Sequence, residues 1–218
     1  MKMRVFLSVI LGAWVLTVGA KNIEPRFDGK KITNDVFWNT AEGMPLYSQG
    51  GGIFRYPDPD TGRLRYYWYG VRYAEAVRYR EDPSVTYPAC TFEAVTCYSS
   101  DDLINWYYEG DVLTREEVDC YGRAGWVGRM GVAYLEAWNQ YVLVVQHDNG
   151  VLFALSHTPN GRFTWHRRIT MEKIIGTPNT GDQTVFVDED TRKPYLIYSY
   201  GRGRNRIYVS EIGIRDGQ

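Results

Sequence analysis

The stretch GDQTVFVDED, residues 181–190, decides how the chain is read. Asp182 and Gln183 stand directly before the apolar run Val185-Phe186-Val187, and Asp188-Glu189-Asp190 closes that run. An acid and an amide make sense at the start of a core strand when the strand is one copy of a repeat whose strand starts gather around a pocket. Two further copies are present: GGGIFRY at 50–56 and GRMGVAYL at 128–135. Each leads through a polar turn (PDPDTGRLR, EAWNQ, EDTRKP) into an aromatic strand: YYWYG at 66–70, YVLVVQHD at 141–148 and YLIYSYG at 195–201. A third strand follows each time and carries Ser99, Ser156 or Ser210, at a period of ~55 residues. Units of this length with three or four strands read as β-propeller blades, and a sandwich of unrelated hairpins is the alternative. The expected fold is all-β, with about three blades, at about 47–113, 126–168 and 179–218. The first strand of each blade lines the channel. Asp182 and Gln183 then face the pocket, while Asp188 to Asp190 form a solvated turn.

Composition agrees. The chain has 218 residues with 18 Tyr, 7 Trp and 22 Gly and no long helical period, as expected of short strands. Its net charge is −1, so nothing favours nucleic acid, which calls for a basic face. Residues 1–20, MKMRVFLSVILGAWVLTVGA, have a charged start, an apolar middle and a small-residue exit. This is the layout of a cleavable signal peptide, so the protein is expected to be secreted or periplasmic, with no membrane span after cleavage. Cys90, Cys97 and Cys120 allow at most one disulfide and are not spaced like a metal site. Cys97 lies in an apolar strand pattern and reads as a buried small residue.

SQGGGIF, YYWYG, VTCYSSDDLINWYYEGDVL, GRMGVAY, YVLVVQHD and GDQTVFVDEDTRKPYLIYS together resemble glycoside hydrolase family 43, closest to its exo-β-1,3-galactanase-like branch. The resemblance runs from about Asn34 onward and implies a five-bladed propeller with a pocket at one end of its axis. It also implies inverting hydrolysis, in which an acid protonates the leaving oxygen and a base activates water on the opposite face. A third carboxylate tunes the acid, because like charges resist joint ionisation. Asp182 falls at this helper position. The base position falls at Ser48-Gln49-Gly50, where there is no carboxylate, a departure shared with that branch. Gln49 is expected to hold a water or a sugar hydroxyl, since an amide takes no proton at neutral pH. The second-blade Glu of the branch is replaced near Gly128, and Arg129 beside it is expected to hold a hydroxyl or a carboxylate. The acid itself would lie ~55 residues past Asp182, beyond Gln218. Five such units need roughly 275 residues, and three blades cannot close a ring, so the chain is expected to be the N-terminal part of a longer propeller.

The remaining candidates follow from position. His147 ends an aromatic strand and is a candidate for sugar contact in the channel, against an ordinary strand-end histidine. Trp68 and Trp126 are candidate stacking platforms, with Trp68 evenly balanced as core. Trp106 and Trp165 recur after the third strands and are expected to pack between blades. The resemblance allows a structural calcium in the channel, as in some relatives, and implies no other cofactor. The expected partner is an oligo- or polysaccharide of the galactan, arabinan or xylan type. A non-catalytic sugar-binding propeller or an inactive remnant is the alternative function.

Overall fold

The computed structural model describes residues 31–120, 125–170, 180–200 and 206–214; the signal-peptide reading of residues 1–20 lies outside them. The described residues form three antiparallel sheets. Blade I contains β1 (Gln49–Pro57), β2 (Leu64–Tyr73), β3 (Phe92–Ser100) and β4 (Tyr107–Thr114), in that spatial order. A short helix, α1 (Ala76–Glu81), lies between β2 and β3. A second, α2 (Arg115–Asp119), follows β4 and is capped by the Thr114 side chain on the Glu117 N–H. Blade II contains β5 (Val127–Leu135), β6 (Gln140–His147), β7 (Gly150–Ser156) and β8 (Thr164–Thr170). Blade III contains β9 (Thr180–Val187), β10 (Pro194–Tyr200) and β11 (Arg206–Glu211). The chain thus adopts a propeller arrangement of about three blades.

The inner strands β1, β5 and β9 come together along one line. A Cβ added to Gly131 at the middle of β5 would meet Val185 of β9 at 2.6 Å and Phe54 of β1 at 2.9 Å, so only glycine lets the three strands approach. Two apolar seams fasten the blades. Tyr67, Tyr69 and Val95 of blade I pack with Met130, Val132 and Leu143 of blade II. On its other face, blade II presents Ala133, Val142 and Val144 to Val185, Leu196 and Tyr198 of blade III. The alternation of each strand explains this, because successive side chains point to opposite faces and blade II is covered on both.

Three blade I tyrosines clasp blade II as well. Their hydroxyls donate to backbone carbonyls: Tyr56 to Val132 (2.7 Å), Tyr69 to Pro159 (2.6 Å) and Tyr73 to Val127 (2.7 Å). Burial raises the pKa of the Tyr73 hydroxyl to about 12, which keeps it a donor. Trp165 is part-buried against the seam between blades I and II, as expected. Trp106 corrects its expectation. It lies on the opposite face of blade I, edge-on to Trp68, which in turn meets Trp38, and the Ala41 N–H donates to the Trp106 carbonyl. Cys97 is buried, and all three cysteines are free. No helix among the described residues is long and apolar enough to cross a membrane.

Candidate functional site

All three inner strands open with the same irregularity. Gln49 pairs with Val71 and Gly52 with Tyr69, so Gly50 and Gly51 oppose Gly70 alone. Val127 pairs with His147 and Met130 with Val145, leaving Gly128 and Arg129 against Gln146. Thr180 pairs with Tyr200 and Gln183 with Tyr198, leaving Gly181 and Asp182 against Ser199. A bulge of this kind bends a strand and re-aims its side chains. Three bulges at equivalent places form one mouth at one end of the axis.

Arg129 sits at the centre of that mouth. Its Nε donates to Asp182 Oδ1 at 3.2 Å, with both side chains about half exposed (40% and 52%). Gly50 flanks it on the blade I side. At φ +70° its backbone is left-handed, and a Cβ there would come within 2.9 Å of Arg129 Nη1. The left-handed backbone is what calls for glycine, since the arginine tip could swing aside. Trp126 closes another side, with its ring laid over Gly128 and 43% of the residue exposed. Asp148 fixes it: the Trp126 N–H donates to Asp148 Oδ1, and the Asp148 N–H donates to the Trp126 carbonyl, each at 2.8 Å. Asp148 was not singled out in the sequence, and nothing in its neighbours signals this role.

A separate cleft of about 580 Å³ lies over blade I. Gln49, exposed at the start of β1, lines this cleft together with Trp68 and Tyr73 of β2. Trp68 therefore has two roles. It forms a cleft wall, and it packs edge-on against Trp38 and Trp106 in the outer core of the blade.

Two expected site residues do not reach the mouth surface. Gln183 is 6% exposed and points into the seam between blades II and III, on the same face of β9 as Val185. The bulge turns Asp182 outward and Gln183 inward, which the sequence does not specify. Neither amide atom of Gln183 has a hydrogen-bond partner among the described residues. His147 is 5% exposed, with its ring edge-on to Trp165. Its Nδ1 accepts from Arg168 Nε at 3.0 Å, so the outermost strand of the blade holds it rather than the channel. Among the described residues there is no cluster of three His, Cys, Asp or Glu side chains that could hold a metal ion.

Comparison with solved structures gives this geometry a context. The chain is similar to the exo-β-1,3-galactanase of Clostridium thermocellum, with TM-score 0.63 and 27% identity over 83% of this chain and 38% of that one. The chain has the fold of the glycoside hydrolase family 43 galactanases. It is likewise similar to the exo-β-1,3-galactanase of Phanerochaete chrysosporium crystallised with β-1,3-galactotriose (TM-score 0.63, 22% identity, 81% of this chain and 38% of that one). A family 43 β-1,3-galactosidase with galactodeoxynojirimycin is a further match, with TM-score 0.61 and 21% identity, covering 84% of this chain and 62% of that one. The chain therefore spans less than two fifths of the length of the galactanases it resembles. No protein-family model and no curated protein matches it.

Proposed function

We propose that the chain forms the sugar-binding mouth of a secreted family 43 glycoside hydrolase that acts on plant-type polysaccharide, with β-1,3-linked galactan as its substrate. The observation that carries this reading is the convergence of Gly50, Arg129 and Asp182 on one end of the axis, flanked by the exposed ring of Trp126. A pyranose has an apolar face for a ring to cover and adjacent hydroxyls for a guanidinium and a carboxylate to bind. The galactose-based ligands and names of the similar proteins support galactan over arabinan or xylan. The leader-like residues 1–20 support secretion.

In an inverting reaction Asp182 acts as the third carboxylate, orienting the general acid and raising its pKa. Arg129 aims Asp182 into the mouth through their ion pair. Gln49 holds the water or a substrate hydroxyl, since its amide both donates and accepts but takes no proton. No described residue is assigned as the general acid. Glu75, the carboxylate in the blade I cleft, is unsuited to it. Its oxygens accept from the Thr91 N–H and hydroxyl at 2.8 Å each, and the Thr91 N–H foremost holds its pKa below the usual range.

One observation favours a second reading, a non-catalytic sugar-binding propeller. The blade I bulge is Gly50-Gly51, so no carboxylate stands where a base would act. Galactose release from β-1,3-galactotriose by the full chain, measured beside calorimetric titration of galactose, separates the two readings. Release that falls by most of its rate in Asp182→Asn supports the hydrolase. Binding without release supports the binding module, and absence of both sinks the sugar reading altogether.

A further inference from the structure

We infer that the seam between blades II and III holds a buried water, bridging the side-chain amides of Gln183 and Gln146 beneath the Arg129–Asp182 pair. This site is independent of the sugar reading. Its first support is an unmet need. Gln183 is 6% exposed, and neither its amide nitrogen nor its amide oxygen has a hydrogen-bond partner among the described residues. Burying an amide in that way costs free energy, and buried polar groups in folded proteins are bonded to protein or to ordered water. The seam offers Val144, Val151 and Val185, which are apolar. The hydroxyl of Tyr198, the residue paired with Gln183 on β10, already bonds to Ser210 Oγ at 3.2 Å.

Position supplies the second amide. Gly131 of β5 lies against Val185 of β9 and pairs with Val144 of β6, so the two valines share a level. Gln183 stands two residues before Val185, and Gln146 two residues after Val144. Strand β9 runs from the mouth and β6 runs toward it, so each glutamine lies about 6.6 Å nearer the mouth than its valine, on the same face. That alternation holds on both strands. The β6–β7 register is unbroken from Tyr141 to His147, and the shift in β9 falls before Gln183. Gln146 is 2% exposed. Arg129 stands opposite Gln146 in the β5 bulge, and Asp182 directly precedes Gln183, so both amides lie under the ion pair. Gln183 makes no direct bond to Gln146. An amide both donates and accepts, so one water between the two reaches the partners that a buried water requires. Pinned inward in this way, Gln183 turns the residue before it outward, toward Arg129. The water thereby ties the acid-bearing bulge of β9 to blade II.

The test is a crystal structure of the full chain, together with urea unfolding of the wild type and of Gln183→Met. A water is expected within ~2.7–3.2 Å of both amides. Methionine is unbranched like glutamine but has no strong hydrogen-bonding group, so Gln183→Met is expected to lose that water and to lower the urea midpoint. If the Gln183 amide is simply left unbonded, the same substitution removes a desolvation penalty and the midpoint rises. An unchanged or raised midpoint therefore overturns the site. So does a map that shows other buried waters but none here, or one in which the two amides bond to each other directly. Should Gln183→Met fail to fold, the wild-type map decides alone.

Discussion

Blades I and III are alike at one end of their inner strands and opposite at the other. At the far end, Asp58-Pro-Asp-Thr-Gly-Arg63 and Asp188-Glu-Asp-Thr-Arg-Lys193 form one and the same turn. The aspartate Oδ1 accepts from the threonine N–H and hydroxyl: 2.9 and 2.8 Å in blade I, 2.7 and 2.9 Å in blade III. The aspartate N–H bonds to the carbonyl five residues on, and its own carbonyl accepts from the left-handed residue, Gly62 or Arg192. At the mouth, the blade I bulge holds two glycines and the blade III bulge holds Asp182. The acidic cluster after the apolar run is thus a folding device shared by the hairpins of blades I and III, while blade II turns through Glu136–Trp138 and the left-handed Asn139 instead. The acid before the run is specific to one blade, as chemistry at a shared pocket requires.

This contrast can be broken by substitution. The largest effect is expected from moving a side chain into the blade I mouth. A Cβ at Gly51 would overlap the carbonyl of Tyr69, which is backbone and cannot yield. Gly51→Ala should therefore cost several kcal/mol, about the cost of overpacking a core or more, and Gly51→Asp should not transplant an acid. A urea midpoint close to wild type would show the two mouths to be interchangeable.

Next comes the blade I turn. Asp58 is buried and also holds Arg65 Nη1 and the Tyr67 hydroxyl, each at 3.4 Å. Asp58→Ala should cost about 1–3 kcal/mol through the donors left unpaired, while Asp188→Ala, lacking those partners, should cost less. The Thr61 hydroxyl, then the Thr61 N–H, hold the Asp58 carboxyl below its usual range. A depressed carboxyl stabilises the fold above its unfolded value of ~3.9, and that contribution is lost as pH falls through the folded value. The drop in melting temperature between pH 7 and pH 3 should accordingly be smaller in Asp58→Asn than in wild type.

A smaller change of opposite sign is expected at Arg192, left-handed at φ 61° where blade I has Gly62. Arg192→Gly should relieve ~1 kcal/mol of backbone strain and raise the midpoint. Smallest of all is the stability effect of Asp182→Asn. Its pair with Arg129 is half exposed, and such pairs contribute ~0–1 kcal/mol. A substitution that removes turnover while barely moving the melting curve would set the mouth of blade III apart from its turn.

Much of the fold was legible because strands repeat the same local chemistry. Glycine-bearing starts and serine-bearing third strands recur in every blade and Asp-x-Asp-Thr turns in blades I and III, and each signal is local to a few residues. Asp182 and Arg129 were legible for the same reason, since each follows a glycine at the head of an inner strand. Gln183, His147 and Trp106 were not. Their surroundings depend on which way a bulge or an alternating strand turns a side chain, and on which blade then covers it.

The sequence by itself determined that the chain is built of β hairpins in a repeating unit, and where each inner strand begins, because turn chemistry and alternation act over neighbouring residues. Only the tertiary structure decided what meets at the mouth. The ion pair joins residues 53 positions apart, and the cleft wall is tied to blade II by a tyrosine 54 positions from its acceptor. Such contacts arise from packing one sheet on another, through a close approach at Gly131 and bulges whose direction no short stretch of sequence encodes.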